Sequence, residues 1–284
     1  MSKCLLVVNS FKGESSDIAS QIGSFLAERG WDVGTFSYNG QEALKNGVST
    51  VFDGVDLAVS LGGDGTVLFV SRGCAPLGIP VFAVNLGEFG FLASIQRNGW
   101  RKPLAEYLGG NLPSISRYMV VCHVIRNGVE VFSSNGLNDM TISSEAASRL
   151  INLDVFYAGS NLGPFKANGI IVATATGSTA YSAAAGGPII SPGLKALVLT
   201  PISSFSLSAR PLVFSADGTL SVRVLPSRAK IGLMADGQIN FELKEDDTVL
   251  LGIPNYKVKL LGGSLDKFYS ALQSKLNWSG GPRA

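Results

Sequence analysis

The chain has 284 residues, of which 15% are Asp, Glu, Lys or Arg, against roughly 25% in an ordinary soluble domain. Apolar residues make up 46%, and 23 basic against 21 acidic side chains leave a net charge of +2. That balance excludes a disordered chain and gives no electrostatic footprint for nucleic acid or an anionic membrane surface.

Lys3–Val8 reads as a buried strand, followed by a helix over Asp17–Arg29 with Ile18, Ile22, Phe25 and Leu26 on one face. Val55–Leu61 is a second apolar strand, Thr66–Ser71 suits a helix, and Pro80–Leu86 is the next strand. Strands alternating with helices at this spacing predict a mostly parallel sheet with helices on its faces.

The texture changes near Gly110. Tyr118–Arg126, Asn127-Gly128 and Val129–Ser133 carry a hairpin signal, because a type I′ turn needs positive φ at both central residues. Short strands follow at Val155–Tyr157, Gly169–Ala173, Leu197–Thr200, Leu220–Leu225, Lys230–Met234 and Ile239–Leu243, with one short helix starting near Ser178. The predicted fold is an α/β domain, a mostly parallel sheet with flanking helices, over residues 1–112 and a β-rich, sandwich-like domain over 113–255. The final segment, 256–284, ends in a frayed Ser279–Pro282 tail.

No charged residue stands between Lys166 and Lys195. Gly, Pro, Ser, Thr and Asn interrupt that stretch too often for a membrane span. The N-terminal apolar run is too short for a signal peptide. Cys4, Cys74 and Cys122 form no C-x-x-C pair, which predicts buried, reduced thiols and a cytoplasmic setting. The single histidine, His123, fits a strand better than a metal site.

The most informative local feature is Leu61-Gly62-Gly63-Asp64-Gly65-Thr66, which follows a strand and opens a helix. In open α/β sheets ligands sit beyond the carboxyl ends of strands, where such turns lie. Glycines let the backbone approach a phosphate, and the helix start adds partial positive charge. A carboxylate there repels phosphate unless Asp64 has a role of its own, either holding Mg²⁺ or accepting a proton from an attacking hydroxyl. The competing reading is a plain Asp-Gly turn, as at Asp217-Gly218 and Asp236-Gly237. No P-loop and no G-x-G-x-x-G turn occurs.

Further blocks follow in order: Asn85–Leu92, Asn138-Asp139, Thr176-Gly177-Ser178-Thr179-Ala180-Tyr181, Gly186-Gly187-Pro188, Thr200-Pro201, Ser208-Ala209-Arg210-Pro211 and Asp236-Gly237. With the Gly-Gly-Asp-Gly turn they resemble the NAD kinase family from about residue 55 to 255. The turn alone is shared with lipid and sugar kinases; the Thr176–Tyr181 block is the specific part.

The resemblance implies transfer of the terminal phosphoryl group of ATP or polyphosphate to the 2′-hydroxyl of NAD's adenosine ribose. Mg²⁺ or another divalent metal would accompany ATP, the first domain would be the nucleotide-binding one, and the final segment, 256–284 (Lys257–Leu272 in particular), would return to it. It implies Asp64 as general base, with Gly63, Gly65 and Thr66 at the phosphates. Phe91 would flank adenine, Asn138 bind the base, and Asp139 the ribose. Thr176, Thr179, Ala180, Tyr181 and Asp236 would line the dinucleotide pocket. Bland alternatives stand beside these: Phe91 as core, Asn138-Asp139 as a turn or cap, Thr176 to Thr179 as helix caps, Tyr181 as an ordinary half-buried tyrosine. Lys12 reads as a solvated lysine, and Arg210 as structural.

Four positions depart from the family's usual residues: Asn168 where Asp is normal, Ala184 for Ser, Phe205 for His and Ala175 for Pro. The family uses positions 168 and 184 around nicotinamide. Losing the carboxylate at 168 predicts a weaker preference for NAD⁺ over NADH, against the alternative that Asn168-Gly169 is only a hairpin turn. The scarcity of charge predicts a homodimer or homotetramer. Two other functions stay open: a lipid or sugar kinase sharing the aspartate turn, and a non-catalytic dinucleotide sensor.

Overall fold

The computed structural model describes every residue except 12, 14, 41–49, 88–89, 147–148, 207–208, 277 and 279–284. Lys12, Ser208 and the Ser279–Pro282 tail therefore lie outside the described residues. Among those described, residues before 117 and after 257 form one compact unit, and 117–257 form another.

The first unit runs β1 (Lys3–Asn9), α1 (Ser15–Ala27), β2 (Asp32–Tyr38), β3 (Leu57–Gly62), α2 (Asp64–Cys74), β4 (Val81–Asn85), β5 (Ile95–Gln96), α3 (Arg101–Leu108) and β6 (Ser114–Tyr118). The second holds β7 (Val120–Arg126), β8 (Val129–Gly136), β9 (Asp139–Ser144), β10 (Ile151–Tyr157), β11 (Ser160–Ala167) and β12 (Gly169–Thr174). It continues with α4 (Tyr181–Ala184), β13 (Ala196–Ile202), β14 (Leu212–Ser215), β15 (Leu220–Val224), β16 (Ile231–Ala235), β17 (Ile239–Leu243) and β18 (Thr248–Gly252). The chain then returns to the first unit in β19 (Lys257–Leu261) and α5 (Leu265–Leu276).

In the first unit β1 lies between β2 and β3, and β4 pairs with β3, β5 and β19, all in parallel. Every residue of β3 and β4 is buried, as a sheet covered on both faces requires. Ile22, Phe25 and Leu26 of α1 pack with Leu6, Val59, Phe82 and Val84 in one core. The predicted helix faces survive with shifted ends: α1 starts two residues early, and α2 starts at Asp64 rather than Thr66.

The second unit contains two six-stranded sheets, one ordered β11-β10-β15-β18-β7-β8 and the other β14-β13-β12-β9-β16-β17. All of their pairings are antiparallel. Cys122 and Val124 belong to a buried alternating stripe in one sheet and Met140 and Ile142 to one in the other, whose strand β12 is buried on both faces. The Asn127-Gly128 turn has φ of 51° and 77°, the predicted type I′ geometry. Two turn readings need correction. Asn168-Gly169 closes no hairpin, since β11 and β12 belong to different sheets. Asp217-Gly218 likewise links β14 of one sheet to β15 of the other.

Cys4, Cys74 and Cys122 are free and buried, and burial pushes the Cys4 and Cys122 thiols up to about 12. Among the described residues no helix is long and apolar enough to cross a membrane.

Candidate functional site

In the first unit, the Gly-Gly-Asp-Gly turn joins β3 to α2 at the carboxyl edge of the parallel sheet. Gly62 is required by close approach, because a Cβ there would sit 2.2 Å from Thr66 Oγ1. Thr66 is buried, and its Oγ1 accepts the Asn9 side-chain N–H at 3.2 Å. Gly63 is different: open space lies where its Cβ would be, leaving the backbone bare for a ligand. Gly65 is exposed at the first turn of α2.

Asp64 is half-buried, and its carboxylate accepts three consecutive backbone N–H groups. Phe91 donates to Oδ2 at 2.9 Å, and Leu92 and Ala93 donate to Oδ1 at 3.2 Å each. An ionised carboxylate offers about four acceptor directions, so one remains for an incoming hydroxyl. Phe91 is half-buried rather than core, its ring 6.1 Å from that of Phe268 on α5.

In the second unit, strand register builds a different cavity. β9 pairs Asp139 with Ala173, Thr141 with Ile171 and Ser143 with Gly169, while Thr141 also faces Met234 on β16. Alternation puts Asp139, Thr141, Ser143 and Met234 on one face of the sheet. On that same face Ile171 and Ala173 are covered by Ala175 and Ile190. The β9–β16 portion stays open as a cavity of about 390 Å³, lined also by Asn138, Ala180, Tyr181, Asp236 and Gly237.

Asp139 is 4% exposed and Asp236 8%. Burial first, then the neighbouring Asp236 charge, pushes the Asp139 carboxyl up to about 7, against a weak contact from Thr141 Oγ1 at 3.4 Å. Asp236 begins the β16–β17 turn with φ of 50°, and Gly237 follows at 67°. It is a turn residue, but not a plain one: its carboxylate accepts the N–H groups of Leu137, Asn138 and Asp139.

The remaining candidates fall around this cavity or beyond it. Thr176 is buried, its hydroxyl finds no partner among the described residues, and it caps no helix. Ser178, Thr179 and Gly177 close a single 3-10 turn, with Thr179 Oγ1 donating to Thr176 O at 3.2 Å. Tyr181 is 47% exposed, more open than an ordinary half-buried tyrosine. Ala184 is exposed on α4 and does not line the cavity. Asn168 does not line it either; it lies one residue before Gly169, with its backbone N–H donating to Ile202 O and its carbonyl accepting from Ser144 N, both at 3.0 Å.

The ATP-NAD kinase N-terminal domain matches residues 4–111 and the ATP-NAD kinase C-terminal domain matches residues 137–262. An NAD kinase from Treponema denticola is 44% identical over 281 residues, which is 99% of this chain and 98% of the relative. The chain belongs to the NAD kinase family.

The crystal structure of yeast NADH kinase complexed with NADH shares the fold at a TM-score of 0.86 and 22% identity, covering 99% of this chain and 89% of its own. An NAD kinase from Archaeoglobus fulgidus in complex with ATP gives a TM-score of 0.75 at 22% identity, covering 98% of this chain and all 100% of its own. Both the α/β unit and the β-rich unit are thus NAD kinase architecture.

Sequence reasoning missed Thr141, Ser143 and Met234 as lining residues. The signal was present: Asp139-Met140-Thr141-Ile142-Ser143 alternates polar and apolar, as a half-buried strand does. On β16, Met234 is 38% exposed between buried Leu233 and Ala235, an apolar side chain on the cavity face.

Proposed function

We propose that this chain phosphorylates NAD, transferring the terminal phosphoryl group of ATP or polyphosphate to the 2′-hydroxyl of the adenosine ribose and giving NADP. The observation that carries the reading is the Asp64 carboxylate, fixed by three backbone donors with one acceptor direction left, in a chain of this family. Asp64 takes the proton of the 2′-hydroxyl as its oxygen bonds to the terminal phosphorus, and ADP leaves when ATP is the donor. The transition state of such transfers is loose, so positioning and charge stabilisation supply most of the rate and a modest base suffices.

Gly63, Gly65 and the start of α2 receive phosphate oxygens, where open backbone and helix dipole favour negative charge. Phe91 flanks a base. Asn138 and Asp139 bind adenosine, with Thr176, Thr179, Ala180, Tyr181 and Asp236 forming or supporting that pocket. Asn168 and Ala184 serve the nicotinamide side. Among the described residues no group of three His, Cys, Asp or Glu side chains is placed to hold a metal. A divalent ion such as Mg²⁺, accompanying ATP, would neutralise phosphate charge during the transfer. The enzyme works in the cytoplasm as a homodimer or homotetramer: its thiols are buried and unpaired, and charge is scarce.

The test is incubation with NAD, Mg²⁺ and either ATP or polyphosphate, with NADP read through an NADP-specific dehydrogenase. NADP should form and should vanish in Asp64→Asn. NAD binding without product would make the chain a dinucleotide sensor, and absence of both would point to a lipid or sugar acceptor.

A further inference from the structure

The backbone of residues 137–139 is bonded at every polar group. Leu137 N–H donates to Asp236 Oδ2 at 2.9 Å, and Asn138 and Asp139 N–H donate to Oδ1 at 2.7 and 3.2 Å. Asp236 N–H returns a bond to Asp139 O at 3.0 Å. From the other side, Thr174 Oγ1 donates to Leu137 O at 2.6 Å and Thr174 N–H to Asn138 O at 2.9 Å. Gly136 completes the fit, because a Cβ there would lie 2.9 Å from Asp236 Oδ1.

A residue that only made the β16–β17 turn would need its positive φ and nothing from its carboxylate. Here both oxygens are spent on the β8–β9 link and the first residue of β9, and the side chain is almost fully buried. We propose that Asp236 is a positioning residue, which touches the bound dinucleotide little and acts by fixing the backbone from which Asn138 and Asp139 reach it. This rests on the cavity being the dinucleotide pocket. The titratable side chains around that cavity are Asp139, Asp236 and Tyr181. Asp236 therefore has a second effect that a mere brace would lack: its charge adds to burial in raising the proton affinity of Asp139.

Asp236→Asn is the direct test, since Asn accepts positive φ and keeps the turn. The amide replaces one acceptor oxygen with N–H groups that face donors. Calorimetric NAD affinity should fall about tenfold or more, as expected for loss of charge-assisted hydrogen bonds. The pH midpoint of NAD binding should also move to lower pH, because Asp139 loses its charged neighbour. Asp139→Asn should remove that inflection. A folded Asp236→Asn with unchanged affinity and unchanged midpoint overturns the proposal. Failure of the wild-type protein to bind NAD at all overturns the pocket reading instead. Should Asp236→Asn not fold, Gly136→Ala decides: its Cβ crowds the carboxylate and the Asp139 carbonyl while the turn residues themselves stay unchanged, and unchanged affinity there is equally fatal.

Discussion

Asp64 and Gly90 are mutually exclusive with any side chain between them: a Cβ on Gly90 would lie 2.1 Å from Asp64 Oδ1. The carboxylate fills that space to reach the N–H groups of residues 91–93. The glycine is thus required by what stands opposite it, and its own φ is not positive.

Gly90→Ala should therefore displace the Asp64 carboxylate while leaving the core of the first unit intact. A shift approaching 1 Å costs up to ~100-fold in rate, so kcat for NADP formation should fall by about 10- to 100-fold. Thermal unfolding should change by only a few degrees. Wild-type kcat in this variant would mean that the Asp64–Phe91 arrangement is irrelevant to the chemistry.

On the proposed placement of Asn168 at the nicotinamide side, Asn168→Asp should add a negative charge there and favour the oxidised, cationic ring. The ratio of kcat/KM for NAD⁺ over NADH should rise, by about threefold or more for a partly screened charge pair. An unchanged ratio would leave position 168 as a link between two sheets with no role in cofactor choice.

The raised proton affinity of Asp139 makes a signed prediction for stability. Its carboxyl titrates near 7 in the fold and near its ordinary 3.8 when unfolded, so the folded state binds the proton more tightly. Relative to Asp139→Asn, the ligand-free protein is most stable below pH ~4 and loses that advantage as pH rises to about 7. The loss is on the order of a few kcal/mol, since each unit is worth about 1.4 kcal/mol. Denaturant unfolding of both proteins at pH 5 and pH 8 measures it; parallel curves would refute a titrating Asp139.

Asp247 is wholly buried, bonded by Arg126 Nε and Nη2 at 2.8 and 2.7 Å and by Lys244 N–H at 2.8 Å. Burial alone would raise its proton affinity, but these donors override it and hold the carboxyl below its ordinary range. Arg126→Ala strands a buried charge and should cost about 3 to 5 kcal/mol, visible in denaturant midpoints at pH 7. The cost should shrink as pH falls through the acid range, because Asp247 without Arg126 takes up a proton at higher pH than it does in the wild type.

Much of the fold was legible because strong local patterns agree with it. The apolar runs at Leu5–Val8, Leu57–Leu61 (interrupted by Ser60) and Val81–Val84 read as buried strands, and Asn127-Gly128 as a tight turn. β2 escaped because it is an edge strand whose residues are mostly exposed, so Asp32–Tyr38 carries no buried run. β9 escaped because Asn138-Asp139 reads locally as a turn, although the strand begins at Asp139.

The sequence by itself determined the two-part architecture, the family and the special standing of Asp64, because motif order and local periodicity are properties of the chain alone. Only the tertiary structure decided what Asp236, Asn168 and Gly90 touch. Asp236 meets partners 97 to 99 residues away, and such meetings depend on strand register, where a one-residue slip turns every side chain to the other face. No local pattern encodes that register; the packing of both faces of the sheet does.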